Sequence, residues 1–216
     1  MQRVLMSTGL LFVAIVSGVS VPAQTSALTF HDLASASPTM LGRMQVRGRV
    51  AQASSIMITE LPPGLKTTPH HHHQEQMMLG LRGGMKYLMA GAPNTLEPLT
   101  AALALPNVEH GNLNDTPETA VVVEYQAVQR PDWFPPHPRR PREGAPAPVA
   151  IPAGRKVIED FSASSSGWHM HAGGARSKSL TGDTIRLTLW QLPAGSKPVS
   201  VTTASPVERL VAGSAA

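Results

Sequence analysis

The chemistry of this chain concentrates in one stretch, Thr68-Pro69-His70-His71-His72-His73-Gln74-Glu75-Gln76. Imidazole, carboxylate and amide groups are all ligands for a divalent cation. Side chains two residues apart on an extended strand point to the same face, so alternate histidines can converge on one ion. Two frames are available. His70, His72 and Gln76 share one parity, while His71, His73 and Glu75 share the other. The second set contains a carboxylate, which suits a hard cation, and alternation alone does not separate the two. A single strand cannot enclose an ion, so a further ligand has to come from a neighbouring strand. His110 is the remaining histidine of the surrounding β-rich block. With no cysteine in the sequence, thiolate ligands and disulfide staples are both excluded.

The elements around these residues read as short strands. Ile56 to Leu61 is closed by Pro62-Pro63-Gly64, and Met77 to Leu81 ends at Gly83-Gly84. Met85 to Met89 ends at Gly91-Ala92-Pro93-Asn94, Leu99 to Leu105 ends at Pro106, and Ala120 to Val128 carries the strongest β propensity. A hydrophobic content of 42% supports a core, but only 4% of residues are aromatic, so Leu, Val, Ile, Met and Ala must fill it. Short strands with turn signals every dozen residues or so point to an all-β antiparallel barrel or sandwich.

The histidine stretch resembles the first motif of the cupin superfamily: Gly, five residues, His, one residue, His, three or four residues, Glu, six residues, Gly. Gly64, His70, His72 and Gly83 fall on this spacing, with Gln76 at the Glu position. The alternative frame breaks the spacing on both sides. Pro106, His110 and Asn114 resemble the second motif, with Val108 where a glycine is usual. The resemblance covers about residues 40 to 130. It implies a jelly-roll-like barrel holding one divalent metal ion through His70, His72, Gln76 and His110. It leaves Fe, Mn, Ni, Cu, Co and Zn unresolved. An amide in place of a carboxylate cancels none of the ion's charge, so the site should attract an anionic substrate. Asn114 lies in Asn-Asp-Thr-Pro and reads as a turn residue rather than a ligand. Met77 and Met78 face opposite sides of a strand, which favours core filling over copper handling.

Around this block the chain divides into four parts. Residues 1–23 have a short basic start, an apolar run and a small-residue exit at Val21-Pro22-Ala23, as in a cleaved export signal, which predicts a periplasmic or secreted protein. Residues 24–134 form the metal-binding barrel, with 24–55 weakly patterned. Residues 135–153 are a linker rich in Pro, Arg and Ala. Residues 154–216 read as a degenerate or truncated second cupin-like segment. There Leu189-Trp190-Gln191-Leu192-Pro193-Ala194-Gly195 echoes Ile58-Thr59-Glu60-Leu61-Pro62-Pro63-Gly64, but Val201 and Thr203 stand where His70 and His72 would be. Such a partial unit has edges to cover, so it should pack on the barrel or form a homodimer contact. His169 and His171 lie well before Gly195 and read as surface residues.

The formal charge of +4 has no accompanying basic face interleaved with aromatics, which excludes a nucleic-acid partner. Two function classes remain. One is a metal-dependent enzyme on a small organic substrate, either a dioxygenase-type oxidoreductase or an isomerase or lyase acting on a sugar acid. The other is a non-catalytic module binding metal or a small ligand. No catalytic residue is assigned, since Glu75 lies on the wrong parity and Lys86 and Tyr87 are placed only as candidates at the barrel mouth.

Overall fold

The computed structural model describes residues 33, 35–50, 54–126 and 148–193, together with the backbone of strands at 11–17 and 208–214. The central layer is a seven-stranded antiparallel sheet. It contains β2 (Thr39–Leu41), β3 (Met44–Val50), β4 (Ser55–Leu61), β5 (Gln76–Arg82), β8 (Thr100–Ala104), β10 (Ala120–Gln126) and β11 (Ile158–Asp160), in the order β11-β8-β5-β10-β4-β3-β2. A smaller sheet of β7 (Ala92–Leu96), β6 (Met85–Met89) and β9 (His110–Leu113) faces it. The extended stretch 65–70 adds to the free side of β9: Thr67 N–H donates to Asn112 O, and His70 and His110 exchange both backbone bonds at 2.9 and 2.8 Å.

Strand alternation sends two sets of side chains from the central sheet to opposite faces. Met78, Ala102, Ala104, Ala120 and Val122 point toward the small sheet and meet Met85, Tyr87, Met89 and Leu96. Met77, Leu79, Leu103, Val123 and Tyr125 point the other way. There they meet Leu180, Ile185, Leu187 and Leu189, from a third layer that includes β12 (His169–Met170), β13 (Arg176–Thr181) and β14 (Ile185–Gln191). Each fully buried side chain of this size contributes roughly 1.5–3 kcal/mol, so the outer core is a substantial adhesive.

The described part of the C-terminal segment is therefore packed on the central sheet, one of the two outcomes expected for it. It also contributes β11 to the edge of the central sheet, pairing Ile158–Asp160 with Thr100–Ala102. The buried Glu159 on that strand is paired with Lys178 of β13 at 2.8 Å, joining the two layers. The third layer is completed by β1 (Leu11–Ser17) and β15 (Glu208–Ser214), in the order β12-β13-β14-β1-β15. β1 lies inside the segment read as the export signal.

Several expected boundaries hold to within a residue. Others differ for physical reasons. Thr39–Val50, read as weakly patterned, forms β2 and β3; these lie toward a sheet edge, where exposed positions erase the alternation. The stretch Ala92-Pro93-Asn94, read as a turn, opens β7. Its edge position tolerates a proline without an N–H, and the turn falls on Ala90 and Gly91 instead. Residues 127–147, which include most of the linker, and Val201 and Thr203 lie outside the described residues.

Candidate metal centre

His70, His72 and His110 meet at one end of the space between the central and small sheets, with ligand atoms all within 4.8 Å of one another. The backbone brings them together. His70 is held opposite His110 by the reciprocal hydrogen bonds described above, and Asn107 N–H donates to His72 O at 2.8 Å. Asn107 has φ 61°, the left-handed conformation that asparagine tolerates. The turn over Pro106–Val108 is thereby made with Asn107 left-handed and Val108 in the place where a glycine is usual. Val108 is itself buried.

Each ring is oriented by a backbone carbonyl. His70 Nδ1 lies 3.1 Å from Thr68 O, His72 Nδ1 2.7 Å from Gln74 O and His110 Nδ1 2.9 Å from Val108 O. A carbonyl only accepts, so each Nδ1 carries hydrogen, and in a neutral ring the lone pair is at Nε2. In this tautomer the three Nε2 atoms would be the ligands of a shared ion.

Gln76, inward-facing at the start of β5, adds an oxygen. Its Oε1 is 2.9 Å from His72 Nε2, and its Nε2 donates to Glu124 Oε2 at 2.7 Å. The bond to Glu124 fixes which end of the amide faces the histidine. The 2.9 Å contact is satisfied either by a proton on His72 Nε2, which makes the ring cationic and donates to Oε1, or by a metal ion bound to both atoms. With two further imidazoles directed to the same place, the donor set fits a divalent ion.

Glu124 changes the charge of the site. An amide ligand alone would leave the full charge of an ion uncompensated, but this carboxylate stands one hydrogen bond behind the amide and is only 4% exposed. The attraction for an anion is correspondingly weaker than the ligand types alone imply. Glu124 was hidden in Val121-Val122-Val123-Glu124-Tyr125, where its parity with Val122 was the available sign that it faces inward.

The other frame is separated cleanly. His73 is exposed and His71 half-buried, and neither belongs to the triad. Glu75 is buried on the opposite side, where its carboxylate bonds to residues 183–185. Lys86 forms an ion pair with Asp115 at the surface, away from the interior. Tyr87 points inward, its ring centroid 5.8 Å from that of His110. Burial, and after it the negative charge of Glu124, push the Tyr87 phenol well above its ordinary pKa, so it is a proton donor rather than a base. Asn114 is a turn residue, as expected: its amide donates to Leu61 O and Glu118 O, and its oxygen accepts from Thr116. His169 is exposed, whereas His171 stacks on Trp190.

Paired sheets with both histidine motifs closing on one interior point settle the architecture. The fold is that of a cupin. No family model matches the sequence, and no curated protein matches it. Among solved structures, an RmlC-like cupin from Shewanella frigidimarina shares 14% identity with TM-score 0.46, covering 50% of this chain and 97% of its own. KdgF from Halomonas shares 20% identity with TM-score 0.45, covering 50% of this chain and 100% of its own. The polyketide cyclase RemF from Streptomyces resistomycificus shares 17% identity with TM-score 0.45, covering 49% and 82%. Each of these three structures covers about half of this chain.

Proposed function

We propose that the protein is an exported, mononuclear metal-dependent cupin enzyme acting on a small, hydroxylated organic acid. His70, His72, His110 and Gln76 hold the ion. The observation that carries this reading is the set of three carbonyl-oriented imidazoles converging with the Gln76 oxygen. A bound divalent ion supplies Lewis-acid polarisation or, when redox-active, an electron-transfer centre.

The surrounding residues favour the sugar-acid chemistry over oxidative cleavage of an apolar substrate. Buried atoms of inward-facing residues have no protein partner at Tyr87 Oη, Thr59 Oγ1, Asn112 Oδ1 and both amide atoms of Gln126. Buried polar groups of this kind are costly unless a ligand or solvent satisfies them. Donors and acceptors of both kinds suit hydroxyl groups. Tyr87 donates from a neutral phenol, and Glu124 supplies negative charge behind the Gln76 amide.

Metal analysis of protein recovered from its exported location, without added nickel, tests the proposal. Stoichiometric zinc, manganese or nickel together with turnover of unsaturated uronates is the expected result. Iron or copper with oxygen uptake would shift the reading to dioxygenase chemistry. Metal without turnover on either panel would leave the non-catalytic binding module.

A further inference from the structure

We infer that the Gly182–Ile185 turn of the C-terminal segment positions the metal-binding loop, acting through the carboxylate of Glu75. This rests on the metal-site reading above. Glu75 immediately precedes Gln76, and the loop from His72 to Gln76 carries two of the four proposed ligands. Its carboxylate is only 1% exposed. A buried carboxylate is costly unless it is well bonded, and here the partners come from the far end of the chain. Asp183 N–H donates to Oε1 at 2.8 Å, while Thr184 N–H and Ile185 N–H donate to Oε2 at 2.7 and 3.1 Å. The Thr184 hydroxyl adds a fourth bond at 2.7 Å. Arg155 reaches the same carboxylate at 3.8 Å and Asp183 at 2.8 Å.

The turn is shaped for this carboxylate. A Cβ on Gly182 would lie 2.5 and 2.6 Å from the two Glu75 oxygens, so any side chain there displaces them. Successive N–H groups converging on one anion form a concave backbone nest. The start of the loop is tied down by Asn107 N–H to His72 O, and His72 Nδ1 to Gln74 O braces it internally. The loop is thus held at its start by Asn107 and at its end, on the third-layer side, by the nest. Loss of the outer anchor frees Gln76 and His72 to move apart. Glu75 is a positioning residue, and the third layer completes the metal site as well as covering the sheet.

The test uses the full-length protein and Co²⁺, whose absorption spectrum reports the ligand field. The variants are Glu75→Gln, which keeps the shape but removes the charge, and Gly182→Ala, which crowds the carboxylate from the other side. Both should lower Co²⁺ affinity by about tenfold or more, the usual cost of removing a group that supports a ligand. Combined, they should lose less than the product of the two effects, because they break one contact. Arg176→Ala loosens the same segment through its bonds to Gln191 and Ala163 and should leave the affinity unchanged. By reciprocity, Zn²⁺ should slow hydrogen exchange at the amides of Asp183, Thr184 and Ile185 by a similar factor. Folded Glu75→Gln and Gly182→Ala proteins that bind Co²⁺ as wild type does would overturn the inference. Loss of the fold in both would overturn it too, by making the contact a general folding requirement. Failure of the wild type itself to bind metal would instead refute the metal-site reading.

Discussion

The amide of Gln76 is held between His72 and Glu124, its oxygen 2.9 Å from an imidazole nitrogen and its nitrogen 2.7 Å from a carboxylate oxygen. This relationship makes the glutamine more than a weakened glutamate. Gln76→Glu would bring two carboxylates to hydrogen-bonding distance, where both cannot remain ionised without cost. The single substitution is expected to weaken metal binding at neutral pH by about tenfold, despite offering a formally better ligand. Exchanging the pair as Gln76→Glu with Glu124→Gln restores one carboxylate and one amide and should recover most of the affinity. Isothermal titration with Zn²⁺ decides the matter; tighter binding by the single variant than by wild type would refute the proposed role of Glu124.

The separation of the two histidine frames gives a second prediction. His110→Ala should abolish stoichiometric metal, whereas His71→Ala and His73→Ala should retain it, as measured by elemental analysis after dialysis. Imidazole ligands must be neutral to bind, so protons compete with the ion. Occupancy should therefore fall as the solution is acidified and protons displace the ion from the three rings. Acid-insensitive occupancy, or metal retained by the His110 variant, would assign the ion to other residues.

Asn114 gives a stability prediction that is independent of metal. Its fully buried amide ties the turn at Asp115–Glu118 to the end of β4, through Leu61 O at 2.8 Å and Glu118 O at 2.8 Å. Asn114→Ala removes both donations, leaving Glu118 O the longer bond from the Thr116 hydroxyl at 3.2 Å, and should cost about 1–3 kcal/mol. Urea denaturation of metal-free protein should show this loss, with the metal stoichiometry of the folded protein unchanged.

A fourth prediction concerns the leader. We propose cleavage after Ala23, yet Leu11–Ser17 pairs in register with both β14 and β15. Removal of the leader would withdraw a strand from the third layer. Mass spectrometry of the exported protein should give a chain beginning at Gln24. A retained N-terminus would instead make β1 a permanent part of the structure and remove the support for export by a cleaved signal.

The parts of this molecule that were legible in the sequence depend on local rules. Val121, Val122 and Val123 announce a strand, and His70 with His72 announce a shared face, since both signals lie within a few residues. Gly83 marks a turn because its backbone is left-handed at φ 64°, and a Cβ there would meet Thr119 O at 2.8 Å. The less legible features join distant segments. Glu75 reads as a residue on the wrong face until the amides of residues 183–185 are brought beside it, more than a hundred residues later in the chain. Glu124 reads as one polar position in an apolar strand, because its partner Gln76 lies on a strand paired only in the folded sheet.

The unsatisfied interior atoms lead to a final prediction, in which stability and ligand binding move in opposite directions. Tyr87 Oη and both amide atoms of Gln126 are buried without a protein partner. A buried polar group without a partner costs about 1–3 kcal/mol, so replacing it by an apolar group of similar shape relieves that cost. Tyr87→Phe and Gln126→Leu are therefore expected to preserve or raise the melting temperature of the metal-free protein. If these groups exist to hold the hydroxyls of a substrate, the same changes should weaken binding or turnover of unsaturated uronates by roughly tenfold per lost hydrogen bond. Metal content should not change, since neither residue is among the proposed ligands. Reduced stability with unaltered uronate binding would show instead that these groups are bonded within the folded protein, and the hydroxylated-acid assignment would lose its support.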